Sequence, residues 1–149
     1  MKLVRLAKRR WDVLAILDAR ERCEVLEFLM DPEASYGVAA QSMLRLLFEG
    51  VPSSGPPRAE PLGKSLGSGL FELRKQPKGK KLRVVWFYGG GAVIVCAVAF
   101  TKGERTPRTK LEQALLLRER YLLAKAADEI EIVDIEETVW KTTGTSLRP

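Results

Sequence analysis

Three short runs of strand-forming residues, joined by turn-forming segments, lie between Lys64 and Lys110 and constrain the fold more than any other part of the chain. The runs are Leu70–Lys75, Leu82–Tyr88 and Ala92–Phe100. The first connection contains Pro77 and Gly79, and the second is a run of three glycines, which adopt the positive φ angles of tight hairpins without strain. Two consecutive hairpins predict an antiparallel meander of three strands.

The same window is strongly basic. Between residues 64 and 110, eleven Lys and Arg accompany only two acids, Glu72 and Glu104. The whole chain has a formal net charge of +6, but residues 1–127 carry 23 basic and 13 acidic side chains (+10), whereas residues 128–149 carry 2 and 6 (−4). A small sheet with this excess of positive charge predicts a polyanionic partner.

Sequence periodicity predicts further elements on both sides of the meander. These are a strand at Trp11–Leu17, helices at Asp18–Met30 and Glu33–Glu49, a loop at Val51–Gly69, a helix from Thr106 to about Ala127 and an edge strand at Ile130–Ile135. Gly50 is expected to cap the second helix, and Thr106 with Pro107 to begin the last one. Leu115 and Leu122 are among the residues expected on the packing face of that last helix. The basic residues near the N-terminus are expected to form a solvated end.

Together these elements predict one α+β domain at residues 1–127, followed by an acidic extension at 128–149 that forms an edge strand and a frayed end. Alternation along the strands assigns the faces of the sheet. The side chains expected to pack against the helices are those of Phe71, Leu73, Val84 and Trp86. Glu72, Arg74 and Arg83 then share an open face, where the small Ala97 and Ala99 predict a shallow groove.

The composition excludes several kinds of site. The chain contains no histidine and only two cysteines, Cys23 and Cys96, so zinc fingers, CxxC redox motifs and Ser–His or Cys–His pairs are ruled out. Both cysteines lie in apolar runs and are expected to be buried thiols, with a disulfide as the alternative. The apolar run Val13–Leu17 is too short for a signal peptide or a transmembrane span, and a cytoplasmic protein without metal or cofactor is expected.

Three consecutive segments, LGSGLFELR, LRVVWFY and FTKGERTPRTKLEQA, resemble the HigB/RelE-type toxins, and among them the phage-derived HigB branch. The resemblance spans roughly Trp11 to Leu123 and is specific from Leu66 to Tyr121. It implies a RelE-like fold, in which a small antiparallel sheet packs against two N-terminal helices and a C-terminal helix follows. It also implies the toxin of a type II toxin–antitoxin system, an endoribonuclease that cuts mRNA, in most members on the ribosome.

Cleavage of RNA by its own 2′-hydroxyl requires a base, a group that neutralises charge on the phosphate and an acid for the leaving oxygen. The resemblance implies that Arg83 stabilises the transition state, assisted by Arg74, with Lys102 as acid or base. Arg83 could alternatively be a solvated strand charge, and Arg74 an ion-pair partner of Glu72. Glu72 is either the general base or the residue that orients Arg74, and Tyr121 is expected in the core.

Further basic residues around this site are expected to contact the RNA backbone, which positions the RNA without reading its sequence. They are Lys75, Lys78, Lys80, Lys81, Arg105, Arg108 and Lys110. Phe87 is expected either to stack on a base or to pack beneath the acidic extension.

The expected partners are mRNA, the ribosome and a cognate antitoxin of helix-turn-helix type, with no membrane. Two alternatives share the fold: a non-catalytic nucleic-acid-binding module and an operator-binding regulatory subunit. The acidic extension raises a further hypothesis, that Glu131, Asp134, Glu136 or Glu137 folds towards Arg74 and Arg83 and inhibits the free toxin. The alternative is that the extension adds only a structural strand.

Overall fold

Seven strands form one mixed sheet in the order β3-β4-β5-β6-β2-β1-β7, with helices on both of its faces. This architecture comes from a computed structural model that describes residues 1–31, 37–75, 81–101 and 106–135. The elements are β1 Lys2–Lys8, β2 Asp12–Ile16, α1 Glu24–Leu29, α2 Gly37–Glu49, β3 Gly63–Gly67, β4 Leu70–Lys75, β5 Leu82–Tyr88, β6 Val93–Thr101, α3 Arg108–Ala126 and β7 Glu131–Asp134. The α+β class predicted from the sequence is therefore confirmed.

The central meander is present as predicted, because β4 pairs antiparallel with β5 and β5 pairs antiparallel with β6. The prediction of a wholly antiparallel sheet is wrong, since β2 pairs parallel with β6 and β1 pairs parallel with β7. Parallel neighbours need long crossover connections. The segment from α1 to β5 connects β2 to β6, and the segment that ends with α3 connects β1 to β7. The sequence pattern carries no local signal for such distant pairing.

Two strands lie where the sequence predicted irregular structure. The N-terminal segment predicted as a solvated end forms β1, because Leu3, Val4 and Leu6 are buried between its charged residues. The predicted loop at 51–69 contains β3, which pairs with β4 through a two-residue connection, Ser68-Gly69. Both residues have positive φ (54° and 79°), as a type I′ hairpin turn requires.

The helices α1 and α2 cover one face of the sheet, as predicted. Leu73, Val84 and Trp86 are fully buried there in one core cluster with Leu26 of α1 and Met43 of α2. The second helix ends as expected at Gly50, which has φ +91° and donates its N–H to the Leu46 carbonyl at 3.0 Å. The first part of the predicted second helix, residues 33–36, lies outside the described residues.

The opposite face, predicted to be open, is covered by α3. Its buried residues Ala114 and Tyr121 belong to a second core cluster with Val85, Phe87 and Val95. The helix begins one residue after Pro107, and no side chain caps its N-terminus, so the predicted cap by Thr106 is wrong. Of the expected packing face, Ala114 is buried as predicted, whereas Leu115 and Leu122 are each 40% exposed.

A β-bulge in β6 removes the predicted groove. Val85 pairs with Val98 while the next residue, Trp86, pairs with Cys96, so Ala97 is left without a partner in the β5 register. An extra residue reverses the alternation of side chains beyond it. Phe100 therefore packs on the same face as Ala97, beneath α3, while Ala99 turns to the α1–α2 face. The expected floor of small residues does not exist.

The acidic extension begins with β7, which adds an edge strand beside β1, as predicted for Ile130–Ile135. Its acids bind cations of the neighbouring strand: Glu131 lies 3.4 Å from Lys2 and Asp134 lies 3.7 Å from Arg5. Two strands, β6 and β2, separate β1 from β5. Glu131 and Asp134 therefore do not reach Arg74 or Arg83, and the autoinhibition hypothesis is wrong for these two residues. Glu136 and Glu137 lie outside the described residues.

Candidate nucleic-acid interface

One end of the sheet collects the positive charge of the meander. The register aligns Lys75 at the end of β4 with Leu82 at the start of β5, and Leu82 with Thr101 at the end of β6. β4 and β6 therefore end, and β5 begins, at the same end of the sheet. Lys81 is exposed, Lys75 is half-buried, and the Arg108 side chain at the start of α3 is 91% exposed. We call Arg74, Lys75, Lys81 and Arg108 the basic end.

Four of the expected site residues lie outside the described residues. They are Lys78 and Lys80, between β4 and β5, and Lys102 and Arg105, between β6 and α3.

Beneath the basic end lies a buried ionic cluster, formed by Glu72, Arg74 and Arg83. These residues point to the same face because Arg74 is directly opposite Arg83 in the β4–β5 register and Glu72 is two residues before Arg74. The Glu72 Oε1 atom lies 3.4 Å from Arg74 Nε and 3.5 Å from Arg83 Nε. The ion pair between Arg74 and Glu72, weighed as an alternative from the sequence, is therefore present.

Glu72 and Arg83 are both fully buried, which corrects their predicted placement on an open face. The Arg83 guanidinium donates through Nη1 to the Leu82 carbonyl at 3.0 Å. Burial, together with the neighbouring Arg74 cation, lowers the pKa of Arg83, and the Glu72 carboxylate opposes that shift. In this arrangement Glu72 orients two cations, and Arg83 does not reach the surface to bind a phosphate.

Arg74 is the member of the cluster that reaches the surface, with its side chain 16% exposed. Its Nη1 donates to Glu60 Oε1 at 2.6 Å, and the Glu60 side chain is itself 69% exposed. Because Glu60 lies in the proline-rich segment before β3, no sequence pattern pointed to it.

Phe87 is not available to stack on a base. It is fully buried beneath α3, with its ring centroid 5.5 Å from that of Tyr121 in an edge-to-face arrangement. Tyr121 lies in the core as expected and donates its hydroxyl to the Gly89 carbonyl at 2.7 Å. Phe87 thus packs beneath a helix, rather than beneath the acidic extension.

Lys110 is engaged with the other helical layer. Its Nζ lies 3.4 Å from Glu24 at the start of α1, and the Gln113 amide donates to the same carboxylate at 2.7 Å. Arg108, by contrast, pairs with Glu112 on its own helix, at 3.1 Å. Of these two expected RNA contacts, Arg108 presents the more exposed cation.

The described residues contain no group of three Asp, Glu, Cys or His side chains placed to hold a metal ion. Both cysteines are buried free thiols, as expected. None of the helices in the described part of the chain is long and apolar enough to cross a bilayer.

Comparison with known proteins identifies one family. Residues 37–119, more than half of the chain, match the family described as Phage derived protein Gp49-like (DUF891). The match includes α2, the whole meander and the first half of α3, and hence the basic end with its ionic cluster. No curated protein matches the chain, and no solved structure matches it.

Proposed function

The chain belongs to the Gp49-like family of phage-derived, toxin-like proteins, and on that premise we propose that it is the toxin of a type II toxin–antitoxin system. Its activity is that of a HigB/RelE-type endoribonuclease, which cuts mRNA and thereby inhibits translation. Its partners are mRNA, the ribosome and a cognate antitoxin, and the reaction uses no metal or cofactor.

The observation that carries this proposal is the convergence of cations at the basic end around a held arginine. Arg74 is fixed from below by the buried Glu72 and meets solvent on its other side. A guanidinium that is oriented before the substrate arrives loses little freedom on binding, which is the condition for effective stabilisation of a transition state. Exposed Lys81 and Arg108 supply charge for the flanking phosphates.

The chemistry follows from the side chains available. The ribose 2′-hydroxyl gives its proton to solvent water as its oxygen attacks phosphorus, the bond to the 5′-oxygen breaks, and a 2′,3′-cyclic phosphate and a 5′-hydroxyl result. Arg74 binds the phosphate oxygens on which charge develops, while Glu72 and Arg83 act as positioning residues. Lys102 is our candidate for the proton donor to the leaving 5′-oxygen, since an ammonium carries the required proton at neutral pH.

The phosphate reaches Arg74 by replacing Glu60. The Arg74–Glu60 pair is largely solvent-exposed on the Glu60 side, and exposed pairs contribute about 0–1 kcal/mol. Displacing Glu60 therefore costs little, whereas a dianionic transition state gains two or more charge-assisted hydrogen bonds from the guanidinium.

Induction in a bacterial host tests the proposal. Wild-type protein should arrest growth, and Arg74→Ala should not, at equal expression and at a temperature where the variant is shown to be folded, since it also loses one of the two cations beside the buried Glu72. Arg20→Ala is the matched control, because Arg20 is an exposed cation outside the basic end. Growth arrest by Arg74→Ala equal to that by wild type would contradict the proposal.

A second function is favoured by one specific observation. Two of the four residues expected to be catalytic, Arg83 and Glu72, are fully buried, as expected of a protein that keeps the fold and charge and binds nucleic acid without cutting it. Such a binding module would bind RNA with a strong salt dependence and leave transcripts intact. Transcript integrity after induction separates the two functions.

A further inference from the structure

A surface cleft of about 650 Å³ lies on the α1–α2 side of the molecule, where β2 begins and β5 ends. It is lined by Trp11, by Tyr88 and by residues of the segment 52–59. Trp11 directly precedes β2, Tyr88 ends β5, and the segment 52–59 closes the third side. The volume falls in the range of small-ligand sites, and none of the functional assignments above uses this cleft.

The two aromatic side chains form the apolar wall of the cleft. Their ring centroids are 6.0 Å apart, the rings are tilted by 49°, and both side chains are half-buried. Tyr88 is held from behind by the fully buried Trp86, edge to face at 4.9 Å. Trp11 lies against Gly55, where an added Cβ would sit 3.4 Å from the indole. The φ angle of Gly55, +117°, excludes most other residues at this position. The aromatic surface is therefore rigid and partly exposed.

Exposed cations border the cleft. Arg58 lines it and is exposed, and none of its lining residues is acidic. Arg9 packs across Gly50, next to the start of the lining segment, and Lys8 and Arg10 beside it are exposed. An aromatic surface bordered by arginine is the combination that binds single-stranded nucleic acid, in which a base stacks on a ring and a cation binds the phosphate.

One rim of the cleft approaches the basic end through the chain itself, although Trp11 and Tyr88 lie where β5 ends and the basic end lies where β5 begins. Arg58 and Ala59 line the cleft, and the next residue, Glu60, is the ion-pair partner of Arg74. Two residues of chain span at most about 7 Å, so the rim of the cleft is close to the residue that we assign to the scissile phosphate. A strand that displaces Glu60 from Arg74 would pass Arg58 before it reached Trp11 and Tyr88 at the other end of β5.

We propose that this cleft binds a nucleobase of single-stranded RNA, stacked on Trp11 or Tyr88, with the adjoining phosphate on Arg58. The inference rests on the proposed function for the identity of the strand, because it supplies a second contact for the RNA held at the basic end. A proline-rich peptide is the other ligand that aromatic grooves accept. The bordering cations and the absence of acids from the lining favour RNA.

The test measures binding of a short, fluorescently labelled, single-stranded 2′-O-methyl oligoribonucleotide to the full chain by anisotropy. This probe lacks the 2′-hydroxyl nucleophile and cannot be cut, so the result does not depend on catalysis. Trp11→Ala should weaken binding about tenfold or more, as loss of a stacking platform does, and Trp11→Phe should retain most of the affinity. Arg58→Ala should reduce the slope of log K against log[salt] by about 0.7, and Arg20→Ala should leave it unchanged.

Wild-type affinity in both Trp11→Ala and Arg58→Ala would overturn the inference. The inference would also be overturned if the protein bound a polyproline peptide and Trp11→Ala abolished that binding while leaving oligonucleotide binding unchanged. If Trp11→Ala fails to fold, Arg58→Ala decides, because Arg58 is exposed and outside both core clusters. If the oligonucleotide binds as expected but induced protein cuts no transcript, the proposed cleavage fails while this site stands.

Discussion

Replacing Arg83 by alanine should destabilise the protein, because Arg83 is buried beside a buried carboxylate. Removing one partner of a buried ion pair costs about 3–5 kcal/mol. Here Arg74 Nε remains 3.4 Å from the Glu72 oxygen that Arg83 also approaches, so Glu72 keeps a cation. We therefore expect a loss near the lower limit, about 3 kcal/mol. At about 2–4 °C per kcal/mol for a chain of this size, the Tm should fall by about 6–12 °C.

Thermal and denaturant unfolding measure this loss, with Lys81→Ala as the control. Lys81 is an exposed cation one residue before β5, and its removal should change stability by no more than about 0.5 kcal/mol. A double-mutant cycle of Arg83→Ala with Glu72→Gln should give a coupling energy of about 1–3 kcal/mol, since the two side chains are 3.5 Å apart.

A wild-type Tm for Arg83→Ala, or a coupling energy near zero, would refute the buried ionic cluster. Loss of toxicity in this variant reports on folding as well as on chemistry, so it must be measured at a temperature where the variant is folded. Arg74, which reaches the surface, is the residue whose substitution tests the chemistry.

Three further predictions follow from individual contacts. Glu60→Gln should raise affinity for RNA, most at low salt, because it frees Arg74 from a competing carboxylate; an unchanged Kd in anisotropy titrations would contradict this. Burial raises the pKa of the Cys23 thiol from 9.0 to about 12. The neutral thiol therefore contributes stability that is fully present below pH 9 and should be lost as the pH rises from about 9 to about 12. Cys23→Ala should flatten that decline in unfolding experiments, and an identical decline in the variant would contradict this prediction. Deleting residues 128–149 should lower the Tm and promote aggregation, because it exposes the edge of β1; a truncated protein as stable as wild type by calorimetry would show that β7 contributes nothing.

The meander could be predicted because its signals are local. Leu70–Lys75 and Leu82–Tyr88 have the predicted bounds, since alternating apolar residues and glycine-rich connections define strands without reference to distant parts of the chain. The hairpin that adds β3 also had a local signal, the Ser68-Gly69 pair, but the prolines and glycines before it indicated a loop. In β1, charged residues between buried leucines concealed a strand that depends on its neighbours β2 and β7.

The position of α3 could not be predicted, and it decides the accessibility of the site. Alternation correctly placed Glu72, Arg74 and Arg83 on one face, but it does not state which face a later helix covers. The bulge at Ala97 was equally invisible, because nothing in an apolar run marks an extra residue. The three side chains therefore lie together as the pattern predicts, but only Arg74 among them reaches the surface.

Primer-extension mapping of cleaved transcripts tests the central claim most directly. It uses purified protein, with and without ribosomes, and a metal chelator is present in both reactions. Wild-type protein should produce discrete cleavage sites in mRNA, with 5′-hydroxyl ends. Arg74→Ala should lose about a hundredfold or more in cleavage rate, as removal of a group that stabilises the transition state does. Intact transcripts with wild-type protein under both conditions, despite tight RNA binding, would contradict the account and identify the protein as a non-catalytic nucleic-acid-binding module.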